Sequence, residues 1–181
     1  MCDRNIDIEV RLLASYTHEL KADYLRVEGD DPWTDSPFDW IRCLRSGQIG
    51  KIGAQLVARW CTEKGLTVIP SGDTQADRVI NGKRVEIKTS TRWKTGIYMF
   101  QQIRDQDYDY AVCLGISPFD AHCWVLSKDV LRRHVIGKTP QHKGKAGSDT
   151  FWLTVDPDNP HEWLSSCGGA LASAYEIIRN W

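Results

Sequence analysis

The dipeptide Asn81-Gly82 is the strongest local constraint in the chain, because a short stretch of β-forming residues lies on each side of it. Both residues tolerate a positive φ, which the two-residue type I′ turn of a β-hairpin requires. Residues 73–94 are therefore predicted to form two antiparallel strands joined by this turn.

The second strand of the predicted hairpin has one apolar face and one charged face. Side chains alternate along a strand with period two. Val85 and Ile87 should therefore point one way, whereas Arg84, Glu86 and Lys88 should point the other way. The apolar pair can enter a core, which leaves a carboxylate and an ammonium group side by side on the opposite face.

A second carboxylate comes from the first strand of the hairpin. Asp77 can lie close enough to Glu86 to share a cation with it. Two hard oxygen ligands beside Lys88 suit Mg²⁺ that is bound together with a substrate phosphate. The hairpin is therefore a candidate metal site.

These residues carry a resemblance to a known superfamily. Asp77, eight intervening residues and then Glu86-Ile87-Lys88 resemble the PD-(D/E)XK signature of restriction endonucleases, Holliday-junction resolvases and mismatch-repair nickases. Glu19-Leu20-Lys21 has the same acidic-x-lysine pattern, but it lies on a predicted helix and lacks the upstream aspartate. The resemblance covers roughly residues 46–126.

The resemblance implies roles for the hairpin residues. Asp77, Glu86 and Lys88 would be catalytic. Asp77, Glu86 and the carbonyl of Ile87 would hold one or two Mg²⁺ ions per active site, and Lys88 would orient the attacking water. The helix before the hairpin often carries a glutamate in this superfamily, but Ala54 stands at the corresponding position.

The remaining pattern predicts an α/β fold, a mixed central β-sheet flanked by helices, which is also the restriction-endonuclease-like core. Residues 1–181 are expected to form a single nuclease domain. In it, residues 1–45 would be a helical segment that packs on the core or at a dimer interface, and residues 46–126 would be the catalytic core. The remaining predicted elements are helices at 7–26, 46–64, 128–135 and 170–181 and strands at 66–69, 97–102, 111–116, 121–126 and 151–155.

The charge distribution favours a nucleic-acid partner although the net charge is only −1. Residues 1–40 are acidic, whereas residues 78–104 carry seven basic side chains against Glu86 alone. Basic and amide side chains near the proposed metal site could bind phosphates or recognise base edges. The residues expected to contact DNA are Thr89, Ser90, Thr91, Arg92, Trp93, Lys94, Gln101, Gln102, Arg104, Lys143 and Lys145.

These observations together predict a Mg²⁺-dependent, sequence-specific endonuclease of double-stranded DNA, most similar to a small type II restriction enzyme that acts as a homodimer. A structure-selective repair or Holliday-junction nuclease, and a catalytically inactive DNA-binding protein with the nuclease fold, remain alternatives. Six scattered cysteines without metal-ligand spacing indicate reduced thiols and a cytoplasmic protein. No apolar stretch reaches the length of a membrane span.

Overall fold

The computed structural model describes residues 31–140 and 149–181. The chain divides into two compact units, Met1–Thr34 and Asp35–Trp181. The helix predicted at residues 7–26 lies outside the described residues, as do Lys143 and Lys145. The fold below is that of the second unit.

The second unit begins with two helices, continues with six successive strands and ends with a mixture of helices and short strands. In chain order its elements are α1 (Asp39–Arg42), α2 (Ser46–Glu63), β1 (Val68–Pro70), β2 (Arg78–Ile80), β3 (Lys83–Thr91), β4 (Tyr98–Ile103), β5 (Tyr110–Ile116), β6 (Ala121–Ser127), α3 (Lys128–His134), β7 (Phe151–Val155), a 3₁₀ helix (Glu162–Cys167), β8 (Gly168–Ala170) and α4 (Leu171–Arg179).

A six-stranded mixed sheet forms the centre of the unit, with the order β1-β2-β3-β5-β6-β8. The pair β3 and β5 is parallel, and the other neighbouring pairs are antiparallel. Helices pack against this sheet, so the predicted α/β fold with a mixed central sheet is confirmed. The structure places β4 elsewhere, because it pairs with β7 in a separate two-stranded antiparallel sheet.

The predicted hairpin is present as β2 and β3. Asn81 has a φ of 47° and Gly82 a φ of 80°, as a two-residue turn with two left-handed positions requires. The register pairs Ile80 with Lys83 across this turn. The turn therefore sets which residues of β3 face each side of the sheet.

Helix α2 covers one face of β3, which is called the helix-covered face below. Val85 and Ile87 are buried on it. The helix comes so close at Gly53 that an added Cβ would lie 1.8 Å from Oγ1 of Thr89. Glycine at this position therefore sets the distance between α2 and the sheet.

The other face of the central sheet is partly covered by the β4–β7 sheet. Tyr98 and Phe100 of β4 are fully buried and pack edge-on against Trp124 of β6. Gly115 of β5 makes room for the ring of Tyr98, because a Cβ there would lie 2.6 Å from it. This cover stops short of the start of β3, where Glu86 lies.

The elements near the C-terminal end were only partly predicted from sequence. Gly168 and Gly169 were expected to precede the last helix, but they also form β8, which pairs with β6. Gly168 has a φ of 112° and lies against the carbonyl of Cys123, where a side chain would not fit. No helix in the described ranges is long and apolar enough to cross a membrane.

Candidate active site

Asp77 is fixed to β3 by its backbone and its side chain. It lies one residue before β2, and its N–H donates to the carbonyl of Val85 at 2.9 Å. Its Oδ2 accepts a hydrogen bond from the N–H of Ile87 at 2.7 Å. These two bonds hold the Asp77 carboxylate against the edge of β3, next to Glu86.

Glu86 and Lys88 form an ion pair on the face of β3 opposite to α2. Their side chains are two residues apart and therefore share one face of the strand. The Nζ of Lys88 lies 2.7 Å from Oε1 of Glu86, and the side chains are only 17% and 13% exposed. This part of β3 is called the cleft face below.

The environment of Glu86 opposes its negative charge. Burial raises the pKa of this carboxyl above its ordinary value, and the nearby Asp77 raises it further, whereas Lys88 lowers it. The net direction is upward, so one lysine does not fully offset the desolvation and the second carboxylate. A divalent cation between the two carboxylates would remove this repulsion.

The three predicted catalytic residues line a single surface cleft of about 780 Å³. One wall is the segment before and into β2, and the floor is β3 with Glu86 and Lys88. The other wall comes from the end of β4 and the residues after it. The cleft is lined by Pro70, Ser71, Gly72, Asp73, Thr74, Ala76, Asp77, Arg78, Glu86, Lys88, Gln102, Arg104 and Gln106.

The donor set of the cleft fits Mg²⁺. Asp77 and Glu86 supply carboxylate oxygens. In a strand, the N–H and C=O of one residue point to the same edge, and those of the next residue point to the opposite edge. Both backbone groups of Arg84 bond to Asp109, which directly precedes β5. Ile87 therefore faces the edge where Asp77 lies, and its carbonyl can be the third ligand.

The described residues contain no group of three or more His, Cys, Asp or Glu side chains that could hold a metal ion. A cation between Asp77 and Glu86 would therefore complete its coordination with the backbone, water and substrate. Mg²⁺ commonly binds in this way, through one or two carboxylates, several waters and phosphate oxygens.

Ala54 lies on α2, all of whose residues are described, and this helix contributes no residue to the cleft. Gly53 touches Thr89, which lies on the helix-covered face. Gly53, the residue directly before Ala54, therefore contacts the face of β3 that is opposite to Glu86 and Lys88.

Two of the residues that were expected to contact DNA are used inside the protein. The hydroxyl of Ser90 is buried, where it accepts from the N–H of Met99 at 2.9 Å and donates to the carbonyl of Thr91 at 3.0 Å. Thr89 points towards α2, and its buried Oγ1 has no hydrogen-bond partner among the described residues. We therefore leave Ser90 and Thr89 out of the DNA-contacting surface proposed below.

The other predicted DNA contacts fall into two places. Trp93 and Lys94 are exposed on the loop after β3, and Arg92 is tied there to Asp158 and to the carbonyl of Gly96. Thr91 ends β3 beside this loop. The cleft instead contains Gln102 and Arg104, and the Nε of Arg104 lies 3.6 Å from Asp149.

Gln101 is next to the cleft residue Gln102 in β4 but does not line the cleft, so we also leave it out of the DNA-contacting surface proposed below. Its amide lies 3.6 Å from Sδ of Met99. Arg78 and Gln106 line the cleft and were not among the predicted site residues. The position of Arg78 directly after Asp77 was the available signal, whereas Gln106 reaches the cleft only through the path of the loop after β4.

Comparisons with known proteins find similarity among solved structures. No protein-family model matches the chain, and no curated protein sequence matches it. Among solved structures, the bacterial homing endonuclease I-Ssp6803I is similar over 72% of this chain and 91% of its own chain, with a TM-score of 0.45 and 19% sequence identity.

Proposed function

We propose that this protein is a Mg²⁺-dependent endonuclease that hydrolyses phosphodiester bonds of double-stranded DNA. The observation that carries the proposal is the presence of Asp77, Glu86 and Lys88 in one polar cleft, with the Asp77 carboxylate bonded to the N–H of Ile87 and Glu86 paired with Lys88. Paired carboxylates can hold a divalent cation that activates water for phosphodiester hydrolysis, and a lysine beside them can stabilise charge on the phosphate.

The side chains of the cleft have separate tasks in this mechanism. Asp77 is held by Ile87, so it presents a preoriented carboxylate. Glu86 presents a second carboxylate, and its negative charge is disfavoured by burial and only partly offset by Lys88. Bound Mg²⁺ would supply an activated water and would stabilise negative charge on the phosphate. Lys88 has three N–H donors, so a bond to Glu86 leaves donors for the water or a phosphate oxygen.

The proposed substrate is a polymer with regularly spaced phosphates. Arg78 and Arg104 line the same cleft as the two carboxylates, from the start of β2 and from the residue after β4. Two cationic side chains in this cleft suit a nucleic-acid backbone that passes over the carboxylates. Trp93 and Lys94, which are exposed beyond the end of β3, extend the proposed DNA surface.

The proposal includes sequence-specific cutting of the type II restriction class by a homodimer. A two-fold DNA site needs two catalytic centres, and one described chain supplies one Asp77, Glu86 and Lys88 cleft. The molar mass in solution, free and with a DNA duplex, tests the dimer separately from the chemistry. A mass of one chain in both conditions would contradict it.

Digestion of unmethylated phage and plasmid DNA, with and without Mg²⁺, tests the proposed activity. The wild-type protein is expected to give discrete fragments that require Mg²⁺, and Lys88→Ala and Glu86→Ala are expected to give none. Lys83→Ala is the matched control, because Lys83 lies exposed at the start of the same strand and outside the cleft.

Other outcomes of the digestion would change the conclusion. Cleavage of branched or mismatched DNA without a fixed sequence would support a structure-selective nuclease instead. Metal-independent DNA binding without cutting would support an inactive protein with this fold. Cutting that persists in both Lys88→Ala and Glu86→Ala would show that the cleft is not the active site.

A further inference from the structure

Strand β4 contains an irregularity at the point where it reaches the cleft. Its register with β7 pairs Phe100 with Leu153 and Ile103 with Phe151. Two residues of β4, Gln101 and Gln102, therefore lie opposite the single residue Trp152. One strand that has an extra residue against its partner in this way forms a β-bulge.

The bulge decides which side chain of β4 enters the cleft. Tyr98 and Phe100 are buried, so regular alternation would also bury residue 102 and expose residue 103. The extra residue reverses this order. Ile103 is fully buried, and Gln102 is exposed and lines the cleft with Glu86 and Lys88.

The backbone at Gln102 is unusual for a residue with a side chain. Its φ is 57°, in the left-handed region that glycine adopts at no steric cost. Strained positions of this kind persist where the surrounding structure holds them, and they cluster at functional sites. Glycine would form the same bulge without strain, so the chain carries a side chain at this position at a cost to the backbone.

The chemistry of the cleft indicates what this side chain contacts. Its neighbours Arg104 and Lys88 are cations, which suit phosphate oxygens. A carboxamide is neutral and offers both a donor and an acceptor, the combination that matches a base edge, above all the N6 and N7 positions of adenine. Gln102 is the neutral amide that the bulge brings beside the two catalytic carboxylates.

We propose that Gln102 is a specificity-determining residue, which recognises a base edge close to the phosphate that is cut. This inference rests on the proposed function. It separates Gln102 from its neighbour Gln101, which does not line the cleft and whose amide contacts Met99. Gln101 is therefore a matched control on the same bulge.

The test is the sequence preference of the full-length protein and its variants. A library of duplexes with randomised sequence is incubated with protein and Mg²⁺, and both the bound duplexes and the cut ends are sequenced. We expect Gln102→Ala to relax the preference at one position of the site by about 5-fold to 150-fold, the range of one bidentate base contact. Gln101→Ala should leave the preference unchanged.

The outcomes separate this inference from the proposed function. A wild-type motif that is identical in Gln102→Ala would overturn the inference while the nuclease proposal stands. A uniform loss of binding to all sequences in Gln102→Ala would also overturn it, because it would indicate a phosphate contact. Wild-type protein that neither binds nor cuts any duplex would overturn both.

A second pair of variants tests the strain independently of DNA. Gln102→Gly and Gln102→Ala both lack the amide, but only glycine relieves the left-handed backbone. The melting temperature of Gln102→Gly should exceed that of Gln102→Ala by about 2–4 °C, and the two variants should share the same relaxed sequence preference. Equal melting temperatures would show that the left-handed backbone at Gln102 does not destabilise the protein.

Discussion

The two faces of β3 differ in what covers them. On the helix-covered face, Val85 and Ile87 are buried, and Gly53 leaves no room for a methyl group. On the cleft face, the next residues along the same strand, Glu86 and Lys88, form an ion pair at the floor of a cleft of about 780 Å³. One strand therefore carries a tightly packed face and an unfilled, charged face.

This difference separates the residues that stabilise the fold from those that perform chemistry. Atoms added to the helix-covered face meet other atoms at once, so changes there should affect stability. The cleft face holds a carboxylate whose charge is disfavoured by burial. Changes there should affect activity far more than stability, and some of them should even stabilise the protein.

The largest predicted effect is on the cleft face. Lys88→Met keeps the length of the side chain but removes the charge, and we expect DNA cleavage to fall roughly 10²–10³-fold. The free energy of unfolding should fall by only about 1 kcal/mol, since Glu86 can bind a proton or a cation instead. Cleavage time courses and thermal unfolding measure the two effects. A large loss of stability with normal cleavage would contradict the assignment of the chemistry to the cleft face.

The next prediction concerns the helix-covered face. Gly53→Ala places a Cβ 1.8 Å from Oγ1 of Thr89, so α2 must move away from β3. Such overpacking should lower the free energy of unfolding by about 1–3 kcal/mol. Gly50→Ala is the matched control in the same helix, because no atom lies within 4 Å of its added Cβ. This control should be neutral or stabilising by up to about 1 kcal/mol. Denaturant titration distinguishes the two variants.

Thr89 provides a stabilising change on the same face. Its buried hydroxyl has no hydrogen-bond partner in the described part of the chain, which is unfavourable. Thr89→Val keeps the shape and removes the hydroxyl, so the free energy of unfolding should rise by about 1 kcal/mol. The rate of DNA cleavage should not change. A loss of cleavage with intact folding would return Thr89 to the DNA surface.

The smallest predicted effect is on the pH dependence of stability. The pKa of Glu86 is raised in the folded protein, so the folded state binds its proton more readily than the unfolded state does. Without metal, this group should therefore add stability as the pH falls from neutral through the raised pKa, and the gain should be lost as the pH rises. Glu86→Gln should lack this gain. If the free energy of unfolding in EDTA depends on pH in the same way for wild type and variant, burial does not disfavour the charge of Glu86.

Local signals predicted the hairpin and α2 well, because each depends on neighbouring residues. Asn81-Gly82 specifies its own turn, and the apolar spacing of 46–64 agrees with the observed Ser46–Glu63 helix. The alternation of β3 also separated Glu86 from Val85 and Ile87 correctly. The approach of Asp77 to β3 followed from the length of the hairpin.

Long-range pairing explains what the sequence did not predict. The strand at 97–102 was predicted but its partner was not, because β7 lies far along the chain and draws β4 into a second sheet. The bulge at Gln102 depends on that pairing and on the burial of Ile103. Ser90 and Thr89 were predicted to contact DNA because the local sequence does not show which elements pack on them. In the fold, β4 covers Ser90 and α2 covers Thr89.

A double-mutant cycle on Mg²⁺-dependent cleavage of plasmid DNA tests most directly whether Asp77 and Glu86 hold one metal centre. If Asp77 and Glu86 bind one shared centre, Asp77→Asn and Glu86→Gln should each lower the rate roughly 10²–10³-fold, and the double variant should be little slower than either. Losses that multiply in the double variant, or single variants that cleave normally, would contradict a shared metal site in this cleft.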